Sequence, residues 1–286
     1  MRLRAAHWPA SGAARGTVLV FPGRTEFCEK YGAVAGHLAG AGLDVLVIDW
    51  RGQGLSGRLH ADPALGHVAG FADYQLDVAA MLAHADALGL PQPRTLLAHS
   101  MGGAIGLAAL HAGLDVARAA FSAPMWGIGM TARLRPVAWA VSWAARRAGQ
   151  GARYAPGRGP ANAETLLFEA NPLTTDRGWH DWMARQIETH PGLALGGPSL
   201  GWLIEALSET RRLRALAPPA VPALIGVGTE ESVVDVGAIS ALARAWPGAR
   251  LQTYEGARHE LLMEAPGTRD AFLADVTGFL AGAEAS

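Results

Sequence analysis

The 286-residue chain has little of the residue types that mark disulfide-bonded or nucleic-acid-binding proteins. Its single cysteine, Cys28, excludes an intrachain disulfide, so a reducing compartment is the simplest expectation. The formal net charge of −1 lacks the basic excess that binding to nucleic acid requires. Lysine is almost absent too, because Lys30 is the only one and every other basic side chain apart from histidine is an arginine.

Long apolar runs are also missing. The longest, at residues 136–149, is too short to cross a bilayer and carries two arginines near its end. No apolar run follows the two arginines of the first four residues, so a secretory signal is not expected. We therefore predict a soluble, cytoplasmic protein with no nucleic-acid partner, no obligate protein partner, and no metal or cofactor.

The chain instead alternates short apolar runs with helical patterns. The apolar runs predict strands at residues 17–21, 43–50, 94–100, 116–124, 222–228 and 249–256. Because these runs are apolar throughout, they indicate a mostly parallel sheet covered by helices on both faces, which is an α/β fold.

A tryptophan-rich stretch at residues 125–219 interrupts the alternation, and no buried strand is apparent in it. We expect one α/β core formed by residues 1–124 and 220–286, with a helical cap inserted at 125–219. The position of the insertion, directly after the fourth apolar strand from the start, indicates a lid over one edge of the sheet.

The segment Ala98-x-Ser100-x-Gly102 predicts a tight turn between a strand and a helix that exposes a nucleophilic serine. Small residues are needed two positions before and after the serine, since the strand and the helix approach closely there. A serine that merely ends a strand is the alternative interpretation. His99, although adjacent to Ser100, is predicted to point away from it and to be structural.

A serine hydroxyl becomes a nucleophile only when a base removes its proton and an acid orients that base. His259 follows the last predicted strand, where a loop over the carboxyl edge of the sheet would carry the base. The histidines within a helix or the insertion are weaker candidates: His111, His180 and His190.

Three carboxylates follow the strand at 222–228 and compete for the role of the acid. Glu231 is the first choice, because Val233 and Val234 then resume packing. Asp235 is the second, although it is also placed to cap the next helix. Glu230 is the third.

Stabilisation of a tetrahedral intermediate needs two backbone N–H donors. The N–H of Met101, directly after the nucleophile, is predicted to supply one. The N–H of Arg24, in the loop after the first apolar strand, is predicted to supply the other, with Gly23 allowing close approach to the substrate. An ordinary Pro-Gly turn is the alternative for this loop.

Six segments, in order along nearly the whole chain, resemble the lysophospholipase and monoacylglycerol lipase-like branch of the α/β-hydrolase superfamily, in its bacterial lysophospholipase type. They are FPGRTEFCEKYG, DWRGQGLSGR, HVAGFADYQLD, LLAHSMGGAIG, NPLTTD and GARHELLMEAP. The resemblance implies the α/β-hydrolase fold and a triad of Ser100, Glu231 and His259.

The chain departs from the family pattern at two places. The oxyanion loop is usually His-Gly-x-x-Glu, and Pro22 stands here for the histidine while Gly23 and Glu26 match. The acid is usually an aspartate, so Glu231 is a departure that keeps Asp235 as an alternative. The resemblance also gives Glu26 the role of bracing the oxyanion loop.

Two further residues of the matching segments, Asp49 and Arg51, are predicted to brace a loop rather than to catalyse. The cap is predicted to enclose an apolar acyl site, with Met125, Trp126, Ile128 and Met130 as lining residues. An apolar pocket would hold an alkyl chain at about 0.8 kcal/mol per buried methylene.

These features predict a serine hydrolase that cleaves lipid-like carboxylic esters, such as lysophospholipids or monoacylglycerols, through an acyl-enzyme. The alternatives are an acyltransferase or peptidase with the same triad, and a non-catalytic ligand-binding protein of this fold. Four arginines of the insertion suggest transient contact with a phosphate headgroup or an anionic membrane surface, such as the inner membrane, with solvated surface as the alternative: Arg146, Arg147, Arg153 and Arg158.

Overall fold

The computed structural model describes residues 1–131, 133–160 and 167–282, and a seven-stranded sheet forms its centre. The strands are β1 (Arg4–Trp8), β2 (Thr17–Phe21), β3 (Asp44–Asp49), β4 (Arg94–His99), β5 (Ala119–Ser122), β6 (Ala223–Gly228) and β7 (Ala249–Tyr254). Their order across the sheet is β1-β3-β2-β4-β5-β6-β7. All neighbouring strands pair in parallel except β1, which runs antiparallel to β3.

Helices cover both faces of this sheet. They are α1 (Gly32–Gly40), α2 (Asp73–Ala87), α3 (Met101–His111), α4 (Leu134–Arg147), α5 (Arg177–Thr189), α6 (Leu200–Arg214), α7 (Val236–Ala245) and α8 (Pro266–Leu280). Alternate side chains of β2 enter different cores: Leu19 and Phe21 pack in the core with α2, α3 and α7, while Val18 and Val20 pack in the core with α1 and α8. The predicted α/β architecture is confirmed.

The stretch between β5 and β6 contains α4, α5 and α6, and its described residues form no strand. Residues at both ends of α6, Trp202 and Leu213, belong to the larger hydrophobic core. This stretch between β5 and β6 is therefore anchored to the main core through α6. Within the described ranges, every helix is too short or too polar to cross a bilayer.

One strand was missed by the sequence prediction. β1 has the sequence RAAHW and lies at the edge of the sheet, where only one neighbouring strand pairs with it. All five of its residues keep some solvent exposure, so they lack the continuous apolar run that identifies the buried strands. The predicted fourth apolar run, 116–124, contains a shorter strand than expected, β5.

Candidate active site

Ser100 occupies the sharp turn between β4 and α3, with φ of 49° and ψ of −117°. This backbone conformation is strained for a residue with a side chain, and strain of this kind is typical of an exposed nucleophile. A Cβ on Gly102 would lie 2.5 Å from the carbonyl oxygen of Pro22 and closer still to that of Phe21. Only glycine therefore fits at the position two residues after the serine.

The side chain of His259 reaches Ser100 from a loop after β7. Its Nε2 lies 2.9 Å from Ser100 Oγ, and its Nδ1 lies 2.6 Å from Glu231 Oε2. Glu231 comes from the loop after β6, which passes so close to the histidine loop that a Cβ on Gly228 would lie 2.5 Å from the carbonyl oxygen of Arg258. Three loops at the carboxyl ends of parallel strands thus bring a hydroxyl, an imidazole and a carboxylate into one hydrogen-bonded line.

The electrostatic environment keeps Glu231 ionised. Burial on its own would raise the pKa of this carboxyl, but the charge interaction and hydrogen bond with His259 lower it. The backbone N–H groups of Val233 and Val234 also donate to Glu231 Oε1, at 2.5 and 3.1 Å, and lower the pKa further. The balance leaves Glu231 with a pKa below its usual value.

The other two candidate acids have different partners. Asp235 Oδ1 accepts from the N–H of Ala238 at 3.0 Å and so caps α7, while its Oδ2 lies 2.8 Å from Arg135 Nη2. The Glu230 side chain is mostly exposed and lies 4.0 Å from Arg258 Nε. The carboxylate that contacts His259 is therefore that of Glu231.

The loop that is predicted to supply an oxyanion donor is held on both sides of Arg24. The N–H of Gly23 donates to Glu26 Oε2, and the N–H of Thr25 donates to Gln53 Oε1 at 2.6 Å. The guanidinium of Arg24 extends toward the insertion, where it donates to the carbonyl of Gly196. Met101 begins α3 directly beside Ser100. These contacts define the backbone positions of both residues that the sequence predicts as oxyanion donors.

A buried cluster of five ionisable side chains, here called the Lys30 cluster, lies beside the candidate triad: Glu26, Lys30, Tyr31, His99 and Glu260. Lys30 Nζ is 2.8 Å from Glu26 Oε1 and 2.5 Å from Glu260 Oε1. Tyr31 Oη donates to Glu26 Oε2 at 2.6 Å. The predicted bracing role of Glu26 matches these contacts, but the sequence analysis missed Lys30 and Glu260.

The Lys30 ammonium faces two carboxylates in this cluster. The pKa of Glu26 is lowered and that of Glu260 is raised. Burial opposes ionisation of Glu26, yet Lys30, His99 and Tyr31 outweigh it and lower the pKa of Glu26. Burial dominates at Glu260 and raises its pKa, with Glu26 adding to the effect. Ligand atoms of Glu26, His99 and Glu260 lie within 4.8 Å of one another, as a metal site would require, but the Lys30 ammonium already binds both carboxylates.

The His99 ring hydrogen-bonds to β5 and not to Ser100, as the sequence predicts. Its Nδ1 lies 3.0 Å from the carbonyl oxygen of Ser122 on β5, so this nitrogen carries the proton. Its ring nevertheless lies 4.8 Å from the ring of His259, measured between centroids. Burial lowers the pKa of His99 to about 4, and the imidazole is therefore neutral near pH 7.

The predicted bracing residues after β3 make the expected contacts. Asp49 accepts from the N–H of Cys28 at 2.7 Å and from that of Leu55 at 2.9 Å. Arg51 pairs with Asp77 of α2, at 2.8 Å between Nη2 and Oδ1. Asp49 therefore ties two loops to the end of β3, Arg51 ties its loop to α2, and both side chains lie outside the candidate triad.

The predicted pocket residues separate into two groups. Trp126 has no exposed surface, donates from Nε1 to the carbonyl of Gly103 at 3.1 Å, and packs its ring near those of Phe121 and Trp246. The prediction that Trp126 lines a substrate pocket is wrong, because its ring and its N–H are both engaged in the core.

The remaining residues of that segment lie nearer to open space. Met125 is nearly buried and its N–H donates to the carbonyl of Ser100 at 2.8 Å. Ile128 and Met130 line a cavity of about 640 Å³. Its other lining residues come from the same segment, from α4 and from α6: Gly127, Arg135, Pro136, Trp139, Leu207, Thr210, Arg211 and Arg214.

The sequence is similar to those of known proteins over most of its length. The family model described as Serine aminopeptidase, S33 (Hydrolase_4) matches residues 12–266. Lysophospholipase L2 of Escherichia coli (strain K12) is 36% identical over 271 residues, which cover 92% of this chain and 79% of that protein. A probable lysophospholipase L2 of Haemophilus influenzae is 33% identical over 271 residues, covering 94% and 84%.

Solved structures share the fold at lower identity. A soluble variant of monoglyceride lipase from Saccharomyces cerevisiae, in complex with a substrate analogue, superposes with a TM-score of 0.76 at 20% identity, over 99% of this chain and 92% of that one. The monoacylglycerol lipase of Paleococcus ferrophilus gives 0.75 at 20% identity, over 99% and 100%. The chain therefore has the α/β-hydrolase fold and belongs to the Hydrolase_4 family, Serine aminopeptidase, S33.

Proposed function

We propose that this chain is a serine hydrolase of lipid-like carboxylic esters, with Ser100 as nucleophile, His259 as base and Glu231 as acid. The observation that carries the proposal is the line from Ser100 Oγ to His259 Nε2 at 2.9 Å and from His259 Nδ1 to Glu231 Oε2 at 2.6 Å. The relatives named as lysophospholipases support the same reaction class.

The geometry accounts for each proton of the reaction. His259 Nε2 removes the Ser100 proton as Oγ attacks the ester carbonyl, and Glu231 stabilises the imidazolium that forms. The N–H groups of Met101 and Arg24 would donate to the developing oxyanion. The imidazolium then protonates the leaving alcohol, and a water activated by the same imidazole releases the fatty acid and restores Ser100.

The substrate is proposed from the insertion and from the relatives. We take residues 125–219 as a cap over the active edge and the cavity at Ile128 and Met130 as an acyl-binding region, since apolar side chains dominate its lining. Gly23 and Met125, which flank the Ser100 turn, are proposed to contact the substrate near the reacting carbonyl. A lysophospholipid or a monoacylglycerol, the substrate types in the names of the relatives and neighbours, fits such a site.

Replacement of the nucleophile tests the proposal. Ser100→Ala should abolish hydrolysis of p-nitrophenyl acyl esters and labelling by a fluorophosphonate probe, with little change in melting temperature. Ser208→Ala, at an exposed serine of α6, is the matched control and should keep both properties. Turnover that persists in Ser100→Ala would assign the chemistry to another residue, and a wild-type protein that folds but takes no label would favour a non-catalytic binding protein.

A peptidase is the second candidate, because the matching family model is described as a serine aminopeptidase. The same acyl-enzyme chemistry would serve an amide bond or transfer to an alcohol acceptor. Aminoacyl p-nitroanilides separate the peptidase, and product analysis with added glycerol separates an acyltransferase. We expect ester hydrolysis to exceed both.

Helix α4 supports transient contact with an anionic membrane surface. It presents five large apolar side chains to solvent: Leu134 (59% exposed), Val137 (56%), Trp139 (37%), Val141 (43%) and Trp143 (47%). Residues 116–159 contain no acidic side chain and seven arginines: Arg118, Arg133, Arg135, Arg146, Arg147, Arg153 and Arg158. An arginine-rich helix with an exposed apolar face is typical of interfacial binding.

Vesicle flotation tests this contact. The double variant Val137→Asn/Val141→Asn should bind vesicles of phosphatidylglycerol less than wild type does, while Leu76→Asn, at an exposed leucine of α2, should bind normally. Equal binding by both variants would place the contact elsewhere, and binding to neutral vesicles alone would remove the role of the arginines. We propose a cytoplasmic protein that is transiently peripheral to the inner membrane.

A further inference from the structure

The only lysine of the chain connects two loops that are distant in sequence. Lys30 is fully buried in a short turn, Cys28–Tyr31, that follows the oxyanion loop. Its ammonium contacts Glu26 at 2.8 Å and Glu260 at 2.5 Å, and Glu260 directly follows His259. One side chain thus links the loop that contains Arg24 to the loop that contains the base.

Glu26 extends this link to the backbone of the oxyanion loop. One of its carboxylate oxygens accepts from the N–H of Gly23, the residue before Arg24, and from the Tyr31 hydroxyl. The other oxygen contacts Lys30 and lies 3.7 Å from Nε2 of His99. Because His99 precedes Ser100, the nucleophile turn borders the same cluster.

Glu260 extends the link to the base and to the insertion. Its N–H donates to the carbonyl of Leu173 at 2.8 Å, and its carboxylate is held by Lys30. The ionisable side chains around His259 are then Glu231, which bonds Nδ1, and His99 and Glu260, which flank it. Because Glu260 directly follows His259 in the chain, a shift of the Glu260 backbone would also move the imidazole.

We propose that Lys30, Glu26 and Glu260 are positioning residues that fix the oxyanion loop and the His259 loop relative to each other. The inference rests on the proposed function, because it concerns the same triad. Burial of three charged groups is a poor means of gaining stability, since desolvation offsets most of their attraction. The cluster holds two carboxylates against one ammonium, so an ionised Glu260 next to His259 would favour the imidazolium that forms as Ser100 attacks.

Glu260→Gln is the primary variant. The amide keeps the volume of the side chain, and its oxygen can still accept from Lys30, so the protein should fold and melt close to wild type. Loss of the charge and loosening of the link should lower kcat about 10-fold, within the range expected for a small misplacement of catalytic groups, at nearly unchanged KM. The acidic limb of the kcat/KM profile should move to lower pH, because a negative charge that favours the imidazolium is gone.

Glu29→Gln is the matched control. Glu29 lies in the same turn, but its carboxylate faces Arg4 outside the Lys30 cluster. Its kcat and pH profile should equal those of wild type. A merely structural role for Glu260 would lower the melting temperature and leave kcat and the acidic limb unchanged, and that result would overturn the inference.

A double-mutant cycle adds a test that does not depend on the behaviour of one variant alone. Lys30→Met leaves two carboxylates without their ammonium and should lower kcat more than Glu260→Gln does. In the Glu260→Gln background the same change should cost several-fold less, because one of the two charges is already gone. Independent effects on kcat would contradict a shared positioning cluster.

Failure of this inference is distinguishable from failure of the proposed function. If the proposed function is wrong, wild type itself shows no ester turnover, or its turnover persists in Ser100→Ala and Ser100 takes no phosphonate label. If only the positioning role is wrong, wild type and Glu260→Gln turn over and label Ser100 equally fast.

Discussion

Exchange of the Glu231 carboxylate for an amide tests which acid orients His259. In Glu231→Gln the amide oxygen can still accept from the N–H groups of Val233 and Val234, so the loop keeps its anchor. The amide nitrogen then faces His259 Nδ1 in place of the carboxylate oxygen now 2.6 Å away. An N–H donor at this position favours the tautomer in which Nε2 carries the proton.

The magnitude follows from that tautomer. A protonated Nε2 cannot take the Ser100 proton, and the imidazolium also loses its counter-charge. In serine hydrolases the equivalent loss is about 10⁴-fold in kcat, which corresponds to about 5 kcal/mol of transition-state stabilisation. The free energy of unfolding should change by only about 1 kcal/mol, since one hydrogen bond is altered and no cavity forms.

The assay compares Glu231→Gln with Asp235→Asn by the acylation burst and the steady-state kcat on a soluble p-nitrophenyl ester in excess over enzyme. Asp235→Asn should keep kcat within about twofold and lose about 1 kcal/mol of stability, because the amide oxygen still caps α7 while the ion pair with Arg135 is removed. The assignment of the acid is refuted if Asp235→Asn abolishes the acylation burst and Glu231→Gln does not.

Three further changes probe the surroundings of the triad. Gly102→Ala should prevent accumulation of active enzyme, because its Cβ would collide with the carbonyl oxygen of Phe21, and soluble yield with esterase activity measures this. Trp126→Ala should lose about 3–5 kcal/mol in urea unfolding with the KM for esters little changed, whereas a large rise in KM alone would return Trp126 to the pocket. His99 has its pKa lowered to about 4, so unfolding takes up a proton between pH 4 and the unfolded value of about 6.5. The contribution of this group to the free energy of unfolding is complete above about pH 6.5 and falls by up to about 3 kcal/mol as the pH is lowered toward 4. The free energy of unfolding of His99→Asn should therefore depend less on pH in that window.

The fold was predictable because most of its strands are buried on both faces. β2 and β3 read as unbroken apolar runs, since side chains of both orientations enter a core. β1 was not predictable by that rule, because an edge strand needs no such run. β1 is held against β3 by backbone hydrogen bonds, which do not require any particular side-chain pattern. Its five residues, a mixture of polar and apolar types, therefore do not identify it as a strand.

The residues of the candidate triad were predictable from their places along the chain. Ser100, Glu231 and His259 each follow a strand, and parallel strands end at the same edge of the sheet. The choice between Glu231 and Asp235 was open in the sequence, because both lie within reach of one loop. In the structure the Asp235 carboxylate caps α7, while the Glu231 carboxylate contacts His259.

Two misjudgements have a common physical origin. A tryptophan beside the nucleophile strand is equally suited to a pocket wall and to a core, and only the packing of Trp126 against Phe121 and Trp246 decides. Lys30 and Glu260 are separated by 230 positions, so their ion pair has no local signature. The rarity of lysine in the chain was the one signal that could have drawn attention to Lys30.

The interior location of Lys30 and Cys28 has a practical consequence for handling the protein. These are the sole lysine and the sole cysteine, and both side chains are almost fully shielded from solvent. Succinimidyl esters should therefore leave Lys30 of the folded chain unmodified, and maleimides should react slowly with Cys28. Fluorophores or surface tethers need an introduced residue, while the rate at which native Lys30 and Cys28 become reactive measures opening of the layer beneath the oxyanion loop.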